Sequence, residues 1–307
     1  MSRSHYRDYR GIGILAFALM LIAGFSASAH AQSLNPFETG AVFHEAETKY
    51  MFGFLDGSDI GNENEKAIEL ETTGAFVKRT GRYGMLEQEL EFEHVPTQNF
   101  AYELSAHGMF HSIRGVEDLD DLKQGAFSGL SAKLRYLVIG RGPGSPIGLT
   151  VSAEPEWARI DDADGKKTQA YSAKLRVVAD TELIPNRLYA AVNATYEPGI
   201  DKGSDDTAFQ RASDLGFGFG LAYRITPTFT FGGALKYDAS YDGLAFNTLQ
   251  GNAVFLGPTM QINFTPKILL AAAFSAQVWG RATDDPRAFD LSNFSKYQAN
   301  LKLEFEF

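Results

Sequence analysis

Glutamates recur with a spacing of two in the first third of the chain: Glu69 and Glu71, then Glu87, Glu89, Glu91 and Glu93, then Glu103. That spacing places side chains on one face of a β-strand. A later series changes sign from one segment to the next, with Lys133 and Arg135, Glu154 and Glu156, Lys174 and Arg176. Paired carboxylates can do acid–base chemistry, yet a stripe of four describes a charged wall better than a dyad. Two readings of the wall stay open: a negative surface that attracts cations, or a solvated lining whose charges screen one another. The acidic Glu154–Glu156 segment lies between two basic ones, which predicts cross-strand ion pairs. Closure of the sheet sets Lys302 beside Glu69 and Glu71, whereas the Glu87–Glu93 stripe has no comparable basic neighbour.

Nucleophilic chemistry has thinner material. Beyond the first thirty residues the histidines are His44, His94, His107 and His111, and cysteine is absent. His107 and His111 share the face of the glutamates, with Ser105 nearby. A strand rises about 3.3 Å per residue, so the two histidines stand about 13 Å apart and share neither a metal nor a proton. Ser105 and His107 are about 6.6 Å apart by the same rise, and the sequence offers no evident third group to orient them. No metal site, no catalytic residue and no cofactor is expected.

The elements that position these residues alternate apolar and polar from about residue 66 onward. Twelve strands are predicted, near 67–77, 85–94, 100–111, 129–138, 147–158, 170–180, 188–197, 214–225, 229–238, 253–264, 268–279 and 296–307. Their apolar faces, such as Leu86, Leu90 and Phe92 or Leu215, Phe217, Phe219, Leu221 and Tyr223, carry no Asp, Glu, Lys or Arg, although 21% of the chain is charged. Lipid explains the exclusion, since a Lys or Arg facing it at mid-depth costs about 2–4 kcal/mol. Lipid also forbids an unpaired strand edge, so the sheet must close. The predicted fold is therefore all-β, a closed antiparallel up-and-down transmembrane β-barrel of about twelve strands over 66–307.

Connections alternate in length. Short, proline-bearing ones fall at 96–98, 141–146, 183–186, 226–228 and 265–267, and longer, Asp-rich ones at 112–125, 198–212 and 281–293. The connection at 78–82 fits the long set poorly. Short turns are expected to face the periplasm and long loops the exterior. Residues 32–65 do not alternate and are expected to form a periplasmic extension, a plug or an extra strand. Gly216, Gly218 and Gly220, with Ala271, Ala273 and Ser275, are small inward residues that either widen the lumen or permit tight curvature. Aromatics near strand ends (Tyr136, Trp157, Tyr196, Tyr223, Tyr237, Tyr297 and Phe307) suit interfacial girdles or ordinary strand propensity.

The start of the chain reads as a secretory leader over 1–31. Arg3, Arg7 and Arg10 precede an uncharged stretch from Gly11 to Phe25, and Ala29-His30-Ala31 forms a cleavage site before Gln32. The apolar part is short of the roughly twenty residues of a spanning helix. Dispersed apolar residues, 44% of the total, exclude a helical inner-membrane protein. A net charge of −10 makes the chain a poor partner for nucleic acid.

The chain ends Leu301-Lys302-Leu303-Glu304-Phe305-Glu306-Phe307. This resembles the C-terminal signature of Gram-negative outer-membrane β-barrel proteins, porin-like or transporter-like. The resemblance implies that Phe305 and Phe307 are read by the barrel-assembly machinery and that the barrel sits among outer-membrane lipid. The expected function is that of a monomeric passive channel or transporter for small solutes. On the first of the two readings of the glutamate wall, the pore prefers cations. Barrels of this class also include non-conducting ones that bind through their loops, and hydrolases; both stand as alternatives.

Overall fold

A computed structural model describes residues 46–142, 144–204 and 206–307. The expected leader with Ala29 and Ala31, the first part of the 32–65 segment, and His44 lie outside the described residues.

Twelve strands form one closed sheet: β1 (Lys66–Phe76), β2 (Arg82–Thr97), β3 (Phe100–Arg114), β4 (Leu122–Ile139), β5 (Ile147–Ile160), β6 (Lys167–Ile184), β7 (Leu188–Gly203), β8 (Gln210–Thr226), β9 (Phe229–Asp242), β10 (Thr248–Thr265), β11 (Ile268–Ala282) and β12 (Tyr297–Glu306). Each pairs antiparallel with its neighbours in sequence, and β1 closes on β12 from Ala67↔Glu306 to Phe76↔Tyr297. All backbone polar groups at mid-barrel therefore have a ladder to enter, as hydrocarbon demands.

Every predicted strand is present, but several are longer at the long-loop end. β4 starts at Leu122, β7 runs to Gly203 and β8 starts at Gln210. The connections expected at 112–125 and 198–212 shrink to 115–121 and 204–209. The ladder continues past the lipid boundary, where water wets both faces and the apolar alternation fades. The 77–81 connection is tight because Val77 and Gly81 adopt left-handed backbone, at φ 68° and 63°. A Cβ on Gly81 would lie 2.2 Å from the Arg114 carbonyl oxygen, so glycine is required there.

The outward face is apolar and exposed: Leu90, Leu104, Phe231, Leu256 and Phe264 are among its members. A continuous band of this kind is untenable in water and fits lipid. The inward face is polar and holds the buried charges Glu69, Glu91, Glu93, Glu103, Arg135 and Glu304.

Candidate functional site: the lumen and its inserted segment

Residues 46–60 enter the lumen instead of pairing as a strand. Met51, Phe52 and Leu55 pack on Tyr189 and Ala191 of β7, Ala222 of β8 and Ala234 of β9. Lys49 Nζ bonds Glu93 of β2 and lies 3.6 Å from Glu103 of β3 and 3.8 Å from Glu304 of β12. The Tyr50 hydroxyl donates to Glu304 at 2.8 Å. Asp56 pairs with Arg176 of β6, and its backbone N–H donates to Asn193 of β7 at 2.9 Å. The Ser58 N–H donates to Asp180 of β6 at 2.8 Å, and Arg135 of β4 donates to the Asp59 carbonyl at 2.8 Å. Arg141, in the 140–146 turn, holds both Asp180 at 2.6 Å and Asp59 at 3.1 Å. The segment thus spans the lumen on the half nearest the short turns.

Small inward residues make room for it. A Cβ on Gly218 would sit 2.2 Å from a Leu55 methyl, and one on Gly220 would sit 2.8 Å from Phe52. Gly53 lies against Ala273 and Thr259. These positions receive the segment, a role that neither widening nor curvature had suggested.

The wall charges are largely met. Lys302 bridges Glu69 at 2.8 Å and Glu71 at 3.0 Å, as the strand order predicts. Glu103 takes Lys133, and Arg135 at 3.4 Å. Glu91 accepts from Ser105 at 3.4 Å, while Glu89 stands opposite both Glu71 and His107. The expected pairs around β5 do not form within ion-pair distance. Glu154 stands opposite Lys174 in register, but Lys174 turns to Glu197 of β7 at 3.6 Å and Arg176 to Asp56. The basic neighbour missing for the β2 stripe is Lys49 itself. Glu91, Glu93 and Glu103 bring ligand oxygens within 4.8 Å of one another, and the cation among them is the Lys49 ammonium.

Burial works against charge on Lys49, but Glu93, Glu103 and Glu304 outweigh it and hold its pKa above the ordinary lysine value. Burial likewise opposes ionisation of Asp56, and Arg176, Lys133 and Arg135 together hold its carboxyl well below the usual range. For Glu47 burial and Glu304 outweigh Lys49 and push its carboxyl well up.

His107 faces Ser131 of β4 rather than Ser105: Nε2 and Oγ are 2.9 Å apart, and Nδ1 is 3.2 Å from Glu87. The partner was invisible in sequence because it lies 24 positions away on the next strand. His111 Nε2 donates to the Asp162 carbonyl at 2.9 Å, tying the 161–166 loop inward.

The half nearest the long loops is hollow. A cavity of about 1430 Å³ is lined by twelve carboxylate and six Lys or Arg side chains, among them Glu87, Glu156, Asp201, Asp214 and Lys174. A smaller one of about 300 Å³, lined by Phe54, Leu55, Lys236 and Asp238, lies against the inserted segment. The 283–296 loop folds over the lumen. Lys78 donates to the Ser292 carbonyl at 3.1 Å and Arg79 to the Ala288 carbonyl at 2.9 Å. Asp290 and Gln277 exchange two bonds, at 2.7 and 3.0 Å.

No curated protein matches the sequence. Among solved structures, the COG4313 outer membrane channel from Pseudomonas putida F1 superposes with a TM-score of 0.55 at 11% identity, covering 81% of this chain and 98% of that one. The NanC porin follows with a TM-score of 0.45 at 11% identity, over 78% of this chain and 98% of that one. The KdgM porin in complex with disordered oligogalacturonate gives 0.43 at 11%, over 79% and 99%. The fold, with its lipid-facing band, is that of a bacterial outer-membrane β-barrel. Residues 44–307 match the model of a family of unknown function (DUF6662), and the chain belongs to that family.

Proposed function

We propose that this barrel is a passive outer-membrane channel for small solutes, with residues 46–60 acting as a plug in the state described. One observation carries the reading. The outer cavity meets the smaller one at Lys174, Glu197 and Asp214, and the smaller one ends on a segment that contacts strands on all sides of the lumen and is held by ion pairs, side-chain hydrogen bonds and apolar packing rather than by ladder bonds. A twelve-stranded barrel lies between the filled eight-stranded and the open sixteen-stranded kinds, so one short segment suffices to close it. Liposome swelling with the purified protein tests this reading: small solutes should enter faster than through protein-free liposomes, and their size cut-off should rise when the plug is unlatched.

A cation preference belongs to the same reading, but its seat moves. The glutamates at 69, 71, 93 and 103 are offset by Lys49, Lys133, Arg135 and Lys302. The outer cavity has twice as many carboxylates as cations. Low-dielectric walls concentrate that field and enrich cations at the mouth.

The line of Glu87, His107 and Ser131 has the spacing of a nucleophilic relay. It argues weakly for a hydrolase, because Glu89 stands opposite His107 and Glu156 opposite Ser131. A developing oxyanion needs donors aimed at it, and here carboxylates flank the position. We read the line as part of the polar wall. Labelling of Ser131 by a fluorophosphonate would reverse that reading.

A further inference from the structure

At the long-loop end, β2, β3 and β4 turn three cations outward. Arg82 and Arg114 are direct cross-strand partners, and Lys123 stands opposite Ser112, two residues from Arg114. All three are exposed. Like charges placed directly opposite destabilise a sheet, and none of the three forms an ion pair or side-chain hydrogen bond with a described residue. Three of the four acids of the adjoining loop are engaged elsewhere, and the fourth, Asp118, forms no ion pair with any of these cations. Glu117 meets Arg287 at 3.1 Å, Asp120 meets Lys166 at 2.7 Å, and Asp121 accepts the Gly115 N–H at 2.6 Å.

Directly below on the same face lie Leu86, Phe110 and Phe127, all exposed. Leu86 and Phe110 are cross-strand partners. Four residues of strand separate Leu86 from Arg82, about 13 Å, so the face is cationic above and apolar beneath. The pattern recurs around the rim, where Lys202, Arg211 and Arg281 also occupy outward positions at this end. Among the described residues, no outward position of the twelve strands carries Asp or Glu.

We propose that Arg82, Arg114 and Lys123 form a docking site for a phosphorylated, multiply acylated lipid of the outer leaflet. Its phosphates neutralise the Arg82–Arg114 pair, and its acyl chains lie on Leu86, Phe110 and Phe127. Arginine suits the task because its guanidinium takes phosphate oxygens two at a time. A soluble anion satisfies only the upper half of this face; an amphiphile in the bilayer satisfies both.

Purified barrel in detergent is titrated with fluorescent diphosphorylated lipid A, and the unmodified protein is compared with the triple variant R82Q/R114Q/K123Q. The expected result is at least a tenfold weaker affinity in the variant, with the gel mobility of the unheated barrel unchanged. Binding to the unmodified protein should also weaken as salt rises, because screening shortens the reach of surface charge. Should the triple variant fail to fold, Arg114→Gln gives a test of sign by itself. It relieves the like-charge pair, so its melting temperature in lipid-free detergent should equal or exceed that of the unmodified protein, whereas in lipid A it should fall below. Equal affinity in the variant overturns the proposal. So does equally good binding of dephosphorylated lipid A, or competition by phosphatidylglycerol as strong as by lipid A.

Discussion

Lys49 lies 3.6 Å from Glu103 and 3.8 Å from Glu304, residues of β3 and β12 on separate stretches of the barrel wall. One ammonium from the inserted segment therefore holds two strands that are not neighbours in the sheet. Replacing Lys49 by Ala leaves the buried Glu93 carboxylate without its cation, while Glu103 keeps Lys133 and Arg135 and Glu304 keeps the Tyr50 hydroxyl. Breaking a buried pair from one side costs about 3–5 kcal/mol. The expected outcome is a segment released from the wall, read as protease cleavage within 46–60 in a barrel that otherwise resists digestion.

The charges of Lys49 and Asp56 should be constant across neutral pH. Lys49 has a raised pKa, so its contribution is full below the ordinary lysine value of about 10.4 and is lost only as pH rises through the higher folded value. Asp56 has a lowered pKa, so its contribution is full above about 3.9 and is lost only as pH falls through the lower folded value. With these two groups alone, basal conductance should hold constant from about pH 4 to about 10 and rise outside it, which leaves Glu47, whose carboxyl burial pushes well up, as the group of the segment that can titrate inside that window. A midpoint near pH 7 would mean that some other group controls closure.

Gly218 offers a steric route to the same release. A Cβ there would meet Leu55 at 2.2 Å, so Gly218→Val should expel the segment while leaving the outward face and the barrel ladder untouched. Protease sensitivity of 46–60 should rise as for Lys49→Ala, with unchanged heat-modifiable mobility.

The charge of the outer cavity predicts permeability. Replacing Asp201, Asp206 and Asp214 by Asn removes three of the carboxylates that line it. Reversal potentials in a salt gradient should shift toward the anion side, and the shift should shrink in 1 M salt, where screening is about 3 Å. No shift would return the seat of selectivity to the glutamates of β2.

Deleting Phe307 should lower the yield of folded barrel. Its side chain is exposed at the end of the chain, and its backbone N–H donates to the Lys66 carbonyl at 2.9 Å. The energetic loss is that of one edge residue, so a large fall in outer-membrane level would report recognition during assembly. An unchanged level would count against that role.

The barrel was legible because its signal is periodic. Lipid removes charge from alternate positions, and the rule holds strand after strand, down to Lys302 meeting Glu69 and Glu71. Strand ends in water lack that contrast, which is why β4 begins at Leu122 ahead of its predicted start. The inserted segment was legible only as an absence of alternation. Its contacts depend on register across non-neighbouring strands, so nothing near Lys49 in sequence pointed to Glu93, Glu103 and Glu304. The glycines at 218 and 220 held a trace of it, as small residues on an inward face whose occupant was unknown. Ser131 escaped for the same reason as Lys49: its partner His107 is close only once two strands pair.

The central claim, that residues 46–60 close the pore and must move for current to pass, is open to one direct measurement. The chain has no cysteine, so Leu55→Cys with Gly218→Cys introduces a single tether between segment and wall. Single-channel current is recorded in a planar bilayer under oxidising conditions and again after reductant. The expected result is a current held at its closed level while oxidised, with stepwise openings returning on reduction. Openings of the same size and frequency in both states, with the disulfide shown to have formed, would contradict the account.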